Sequence, residues 1–168
     1  AWLALLGALA GYYVYSTSPP PLVAKLQRDP ALARLHRAWH SAAKAFVKKT
    51  SGKGFSHGNI VSEQAWVYLD AARKNASVIC ETGFFLGVSA HLWLSAHPGN
   101  KLHSFDLFLP PSKEIPWKAA LAELHATFGA SRLQTYHGPT RKTLPKFRPL
   151  APCDIASIDA SHDGWEPY

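Results

Sequence analysis

Apolar positions along the chain follow a helical spacing in the first half and a mixed pattern in the second. After Asp29-Pro30, apolar side chains recur at steps of three and four residues, which predicts an amphipathic helix. Asp29 can cap its first turn, and Pro30 suits the first helical position. The predicted buried stripe consists of Leu32, Leu35, Trp39, Ala42 and Phe46. A second helix is predicted from Ser62, with Ala65, Tyr68, Leu69 and Ala72 on its inner side.

Beyond residue 75, short apolar runs alternate with helical patterns. Strands are predicted at residues 77–80, 101–105, 132–136 and 154–158. Helices are predicted between them at 88–96 and 115–128. Because strand and helix alternate, we expect an α/β fold with a Rossmann-like, doubly wound parallel sheet, preceded by N-terminal helices.

The pattern also predicts how the chain is divided. Residues 1–15 carry no charge and read as a hydrophobic anchor or signal-like segment, followed by a Pro-rich linker at 16–21. A membrane anchor, a cleaved signal peptide and a buried core helix all remain open for residues 1–15. The anchor predicts a membrane-attached protein, with the secretory pathway as a possible location. Residues 22–75 form the N-terminal helical region, and residues 76–168 the sheet-bearing domain.

Charge and cysteine content narrow the function classes. The net charge is +7, but the basic residues are spread out and form no nucleic-acid motif, which argues against a nucleic-acid partner. The two cysteines, Cys80 and Cys153, form neither a disulfide framework nor a zinc-ligand spacing.

The chemistry is concentrated where the first predicted strand ends. Glu81 ends that strand, and Gly83 and Gly87 lie on the turn into the next helix. Ligands of open parallel sheets bind at the carboxyl ends of the strands. The glycine spacing is G-x-x-x-G and not the G-x-G-x-x-G of dinucleotide binders, so a ligand without a diphosphate suits the turn better. Glu81 is a candidate to bind a positively charged ligand head.

Asp106 ends the second predicted strand. It follows the turn by roughly the 20 residues at which an acidic side chain binds ribose hydroxyls in nucleotide-binding sheets. A helix cap is the alternative role for Asp106. Beside Glu81 and the paired glycines, the ribose role is favoured.

Four segments together resemble a known family. CETGFFLGVSA at 80–90 and HSFDL at 103–107 resemble motifs I and II of class I S-adenosylmethionine-dependent methyltransferases, especially the small-molecule and sugar-type branch. GPTRKTLP at 138–145 and CDIASIDASH at 153–162 are similar to later segments of that branch. The resemblance implies S-adenosyl-L-methionine as cofactor and a small-molecule or glycosidic acceptor. The cofactor-binding residues it implies are Glu81, Thr82, Gly83, Phe84, Gly87, Ser89, Asp106, Leu107, Gly138 and Thr140.

The resemblance further places the acceptor near Asp159 and His162 as candidate catalytic residues. His162 could deprotonate an acceptor hydroxyl, because imidazole titrates near neutral pH; a histidine that only bonds to its loop is the alternative. A divalent metal at Asp159 is left open, since its acidic partners would lie beyond Tyr168.

Two departures from the family pattern define the competing hypotheses. Pro139 replaces the acidic residue that helps hold adenine, and Phe85 replaces a smaller polar residue. Methyl transfer to an oxygen or nitrogen is the leading hypothesis. A membrane-tethered, catalytically weak pseudo-methyltransferase that serves as an interaction module is the alternative, and an NAD-dependent oxidoreductase is the third.

The resemblance implies a seven-stranded sheet, of which about four strands are present, so the fold is C-terminally incomplete. The fourth strand would pair with the first and form an unpaired apolar edge, which predicts an unstable or sticky chain. In that arrangement Cys80 and Cys153 are expected to lie too far apart to bridge.

Overall fold

The four strands form one parallel sheet in the order β3-β2-β1-β4. In this computed structural model, which describes residues 21–51, 60, 62–108, 117–149 and 151–159, the strands are β1 (Val78–Thr82), β2 (Lys101–Asp106), β3 (Leu133–His137) and β4 (Ile155–Ile158). β1 pairs with β2 from Val78↔Lys101 and with β4 from Ile79↔Ile155. The predicted parallel α/β sheet is confirmed, and each predicted strand lies within one or two residues of its position.

The described residues also form six α-helices. They are α1 (Pro21–Gln27), α2 (Pro30–Ser51), α3 (Ser62–Arg73), α4 (Val88–Ala96), α5 (Trp117–Phe128) and α6 (Thr140–Thr143). Short 3-10 turns occupy Ala130–Arg132 and Leu144–Lys146. Asp29 caps α2 as predicted, because its Oδ1 accepts hydrogen bonds from the amides of Ala31 and Leu32 at 2.9 and 3.1 Å.

One hydrophobic core unites the N-terminal helices with the sheet. Buried side chains of α2 and α3 belong to the same cluster as those of β1, α4 and β2. The predicted stripe of α2 is correct except at one position, since Ala42 is exposed and Ala43 is buried instead. Ala43 follows Trp39 by four residues, which is closer to a full helical turn of about 3.6 residues than the three residues that separate Ala42 from Trp39.

The order in which successive strands are added to the sheet reverses after β3. It steps outward from β1 to β2 to β3 and then returns to the far side of β1 to form β4. Since parallel crossovers are right-handed, the return crosses the opposite face of the sheet. Ligands of such sheets bind outside the strand ends where this reversal occurs, here between β1 and β4.

Two polar side chains, Asn100 and Arg132, which we call clamps, join the helices to the amino ends of the strands. The buried Asn100 side chain donates to the carbonyls of Ala72 (3.0 Å) and Trp93 (2.8 Å) and accepts from the amide of Ser77 (3.0 Å). Arg132 donates to the carbonyls of Leu94, His97 and Asn100, which include orphan acceptors at the end of α4.

A disulfide joins Cys80 to Cys153, with their Cα atoms 5.8 Å apart. The expectation that these cysteines lie too far apart is therefore wrong. β4 begins at Ile155, and the residue before it is tied to the start of β1, because Asp154 Oδ2 accepts from the amide of Val78 at 2.8 Å. The chain thus turns before β4, and Cys153 lies next to the middle of β1 instead of below it.

Some sequence predictions fall outside the described residues. These include the hydrophobic segment at 1–15, nearly all of the linker at 16–21, and His162. Among the residues that the structure describes, no helix is long and apolar enough to cross a bilayer.

Candidate functional site

The turn that joins β1 to α4 has an unusual backbone. Gly83, Phe85 and Gly87 all have positive φ, at 97°, 44° and 71°. Gly83 continues the pairing of β1 with β2, since its amide donates to the carbonyl of Phe105 at 2.8 Å. Phe85 is the costly position, because a left-handed conformation costs a side-chain-bearing residue about 1–2 kcal/mol. The turn is therefore held by interactions outside itself.

Asp106 holds this turn directly. Its Oδ2 accepts from the amides of Phe84 at 2.6 Å and Phe85 at 3.0 Å, and its Oδ1 accepts from the amide of Phe108 at 3.3 Å. The structure thus brings Asp106 to the turn, as predicted, and the carboxylate serves as a cap for main-chain amides. Oδ2 has both lone pairs in use, whereas Oδ1, with one long hydrogen bond, retains capacity for a second donor.

Gly87 is required by space as well as by its backbone conformation. A Cβ added there would meet Cζ of Phe84 at 2.9 Å and Cδ1 of Leu124 at 3.0 Å. Phe84 is 2% exposed and packs under the turn against Phe108, with ring centroids 5.3 Å apart. The glycine therefore lets the first turn of α4 sit directly on this buried ring.

Glu81 faces the interior. Its side chain is 2% exposed, and its carboxyl accepts from Ser104 Oγ at 2.8 Å, from Trp93 Nε1 at 3.2 Å and from the Ser89 hydroxyl. Burial raises the pKa of Glu81 to about 7, against the opposing effect of these donors. Contact between Glu81 and a ligand stays a prediction, and in this structure the carboxyl links β1 to α4 and β2.

A polar group that the sequence did not suggest as a site lies near the tip of β4, on the face of the sheet that packs against the helices. The Tyr68 hydroxyl is hydrogen-bonded to Ser157 and accepts from Gln64 Nε2 at 3.2 Å, and it interacts electrostatically with Asp159. The Tyr68 ring stacks on Trp93 with centroids 4.5 Å apart. Burial raises the pKa of Tyr68, so the phenol stays protonated at neutral pH. The inward position of Tyr68 on α3 was the only signal in the sequence.

Asp159 lies at the tip of β4, next to β1. Its amide donates to the carbonyl of Thr82 at 3.0 Å, and its side chain is exposed. The strand ends that carry Glu81 and Asp159 are thus neighbours, as expected. Thr82 Oγ1 is buried and has no hydrogen-bond partner among the described residues.

The remaining predicted residues lie around the ends of β2 and β3. The amide of Gly138 donates to the carbonyl of Asp106 at 2.9 Å, and Gly138 has φ 123°. Thr140 is buried at the start of α6, and Leu107 is half-buried just after β2. Within the described part of the chain, no group of three or more His, Cys, Asp or Glu side chains could hold a metal ion.

Comparison with known proteins supports the fold. No protein-family model matches the chain, and no curated protein matches it either. Among solved structures, a Klebsiella pneumoniae protein assigned to the O-methyltransferases is 20% identical, with a TM-score of 0.50 over 79% of this chain and 54% of its own. The O-methyltransferase TomG from Streptomyces achromogenes, solved with S-adenosylmethionine, is 21% identical, with a TM-score of 0.48 over 76% of this chain and 52% of its own.

At this level of identity, the likeness to the Klebsiella protein establishes the fold alone. The chain has an α/β Rossmann-like fold of the kind found in methyltransferase structures. It spans little more than half the length of these proteins.

Proposed function

We propose that the chain binds S-adenosyl-L-methionine at the tips of β1 and β2 and supports methyl transfer to an oxygen or nitrogen of a small-molecule or glycosidic acceptor. The observation that carries this proposal is the turn from Gly83 to Gly87, which the Asp106 carboxylate holds at the carboxyl edge of a parallel sheet. This edge adjoins the reversal of strand order, where ligands of such sheets bind.

The residues at this edge fit a nucleoside-bearing cofactor. Asp106 Oδ1 has acceptor capacity for a hydroxyl group, and the buried Thr82 hydroxyl has no partner within the described part of the chain. Gly83 and Gly87 provide a turn without side chains at its two ends. Leu107, Gly138 and Thr140 would border the cofactor on the β2 and β3 side, while Phe84, Glu81 and Ser89 would support the turn from within.

The sulfonium cofactor, when bound, supplies a methyl group that is reactive toward nucleophiles. The chain's own residues would mainly align the acceptor, which is the large contribution of proximity and orientation. Asp159, exposed at the tip of β4, would position an acceptor hydroxyl, with His162 as the proton acceptor. The protonated Tyr68 hydroxyl would fix Ser157 next to Asp159.

Titration calorimetry of the full chain with S-adenosylmethionine and with S-adenosylhomocysteine tests the proposal. We expect saturable binding of both ligands, with at least a tenfold loss of affinity in Asp106→Ala. Asp154→Ala is the matched control, because Asp154 also accepts from a main-chain amide but lies at the other end of the sheet. Retained affinity in this control separates ligand binding from general loosening of the fold.

Absence of heat with both ligands would overturn the assignment. Binding of NAD in their place would favour the oxidoreductase hypothesis. Binding of S-adenosylmethionine without turnover across acceptor panels would favour a catalytically weak interaction module. That alternative has an observation in its favour, since Asp106 is already bonded to the turn and Phe85 is held in a left-handed conformation.

We also propose that the chain works in an oxidising compartment, attached to a membrane through residues 1–15. The disulfide between Cys80 and Cys153 supports the compartment, because such bonds persist in secreted and lumenal proteins and are rare in the cytosol. Isolation of the protein from its native source with thiols blocked tests this proposal, and two free thiols in that material would contradict it.

A further inference from the structure

A cleft of about 700 Å³ lies at the outer edge of β3, between the end of that strand and residues 142–148. We refer to it as the β3 cleft. Its lining shares Gly138 with the predicted cofactor-binding residues but includes neither Asp106 nor any residue of the turn at 83–87, so the cleft lies beside the predicted ribose position and not in it. Its volume falls within the range of pockets that hold small organic molecules, roughly 300–1,000 Å³.

The β3 cleft is strongly cationic. Lys142, Lys146 and Arg148 contribute to its wall, and no Asp or Glu does. In the described part of the chain, the ion pairs join residues on or next to α2, α3 and α5, and none involves these three cations. Three positive charges around one concave surface repel each other, and an anion placed between them relieves that repulsion.

The wall that carries these cations is fixed by aromatic packing. Phe147 packs edge-on against Phe105 and Tyr136, with centroids 5.0 and 5.2 Å apart. The Arg148 guanidinium donates to the carbonyls of Pro145 and Phe147, both at 2.8 Å, which restricts its orientation. The backbone around Phe147 and the Arg148 guanidinium are therefore oriented before any ligand arrives, which lowers the entropic cost of binding.

The same cleft presents rings to a ligand. Tyr136 and Phe147 line it together with His137, whose ring stacks on Phe108 with centroids 4.1 Å apart. Rings anchored in this way offer flat surfaces against which a planar or sugar ring can pack. Cations and rings in one cleft together match a molecule that has both an anionic group and a ring.

We propose that the β3 cleft is a binding site for a small organic anion, a ring-bearing molecule with a phosphate, sulfate or carboxylate group. The site adjoins the proposed cofactor position at Gly138. Its test is nevertheless independent of methyl transfer, because the substitutions change neither Asp106, nor the turn, nor Gly138. The anionic group would lie between Lys142, Lys146 and Arg148, and the ring would pack against Phe147 and Tyr136.

Titration calorimetry of the full chain with defined probes tests this site. The probes are phenyl phosphate, phenyl sulfate, benzoate, inorganic phosphate and neutral phenol. We expect at least one ring-bearing anion to bind saturably and at least tenfold more tightly than either inorganic phosphate or phenol. The order of affinities among phenyl phosphate, phenyl sulfate and benzoate identifies which anionic group the cleft prefers.

Two charge-reversal variants with the same change in net charge locate the binding. The triple variant Lys142→Glu, Lys146→Glu, Arg148→Glu should abolish binding. The control triple variant Arg34→Glu, Arg37→Glu, Lys44→Glu changes exposed cations of α2 and should bind normally. Phe147→Leu should weaken the ring-bearing anion at least fivefold and leave inorganic phosphate unchanged.

If the triple cleft variant does not fold, the single variant Lys146→Gln replaces it, with Lys44→Gln as control. Equal losses in the cleft and control variants would overturn the proposal, since binding would then follow net charge. Absence of saturable binding by every probe would also overturn it. So would binding restricted to a long polyanion such as heparin, with a steep salt dependence, because this indicates an extended basic surface.

Discussion

On one face of the sheet, α2 to α5 share one buried core with the strands, and Ile79, Leu102 and Leu133 are almost completely buried. On the other face, the described residues around Phe147 cross only part of the sheet, and Ile158 on β4, an edge strand of the described sheet, is 74% exposed. The helical face also contains buried polar side chains whose hydrogen-bonding groups are paired, such as Asn100. The open face instead has a covalent cross-link between β1 and the residues before β4.

This difference indicates where stability originates. The helical face can hold β1, β2 and β3 through burial and hydrogen bonds, because the core cluster and the clamps all lie there. Among the described residues, β4 pairs with β1 alone and has little cover, so within this part of the chain its position depends more heavily on the Cys80–Cys153 disulfide. Since Asp159 follows β4 directly, the disulfide also fixes one edge of the candidate site.

Removal of the disulfide should have the largest effect. The bond closes a loop with a sequence separation of 73 residues, for which chain entropy in the unfolded state corresponds to about 4 kcal/mol. We expect Cys153→Ala to lower the free energy of unfolding by several kcal/mol in chemical denaturation. Thiol reduction of the unaltered chain should produce the same loss and provides a matched second route.

Alkylation of the folded chain without reductant checks the premise of this prediction. Labelling of two free thiols in the folded protein would contradict the disulfide. Unchanged stability after complete reduction would show that β4 is held by its backbone pairing alone.

Loss of the Asn100 clamp should be the next largest effect. Asn100→Ala leaves the carbonyls of Ala72 and Trp93 and the amide of Ser77 without their partner. Buried polar groups left unpaired cost about 3 kcal/mol in total. Asn75→Ala is the control, because Asn75 is exposed. Equal effects of the two substitutions in denaturant titrations would show that the clamp does not stabilise the helical face.

The helical face was also the more predictable of the two. Periodic apolar positions predicted α2 and α3, and the alternation of strands and helices predicted the parallel sheet. The Asp29 cap is confirmed because capping is local, with partners two and three residues away. Asn100 and Arg132 were not identified, since their acceptors are main-chain carbonyls distant in sequence, which no residue pattern marks.

The candidate site could be predicted in outline only. The sequence predicted the turn, the position of Asp106 at the tip of β2 and the neighbouring strand ends of Glu81 and Asp159, but not that Asp106 bonds to the turn itself. Strand alternation does place Glu81 on the same face as buried Ile79, which is the signal that its carboxyl points inward. The disulfide was missed because it depends on where β4 begins, and strand boundaries are the least certain part of a sequence reading.

The smallest expected effect is the pH dependence of stability, which tests how deeply the helical face buries Glu81. Burial raises the pKa of Glu81 from 4.5 in the unfolded chain to about 7 in the folded protein. Between these two pKa values the folded state holds a proton that the unfolded state has released. The contribution to stability is therefore full below the pKa of the unfolded chain, and it is lost as the pH rises through the pKa of the folded protein. The loss amounts to about 2 kcal/mol between about pH 5 and pH 8.

We expect Glu81→Gln, which retains acceptor capacity without a charge, to remove this loss in denaturant titrations at the two pH values. Glu63→Gln, on an exposed position of α3, should leave it unchanged. A stability that decreases equally with pH in both variants would show that Glu81 is not the group responsible, and that its carboxyl is more accessible to solvent than its contacts with Ser104 and Trp93 indicate.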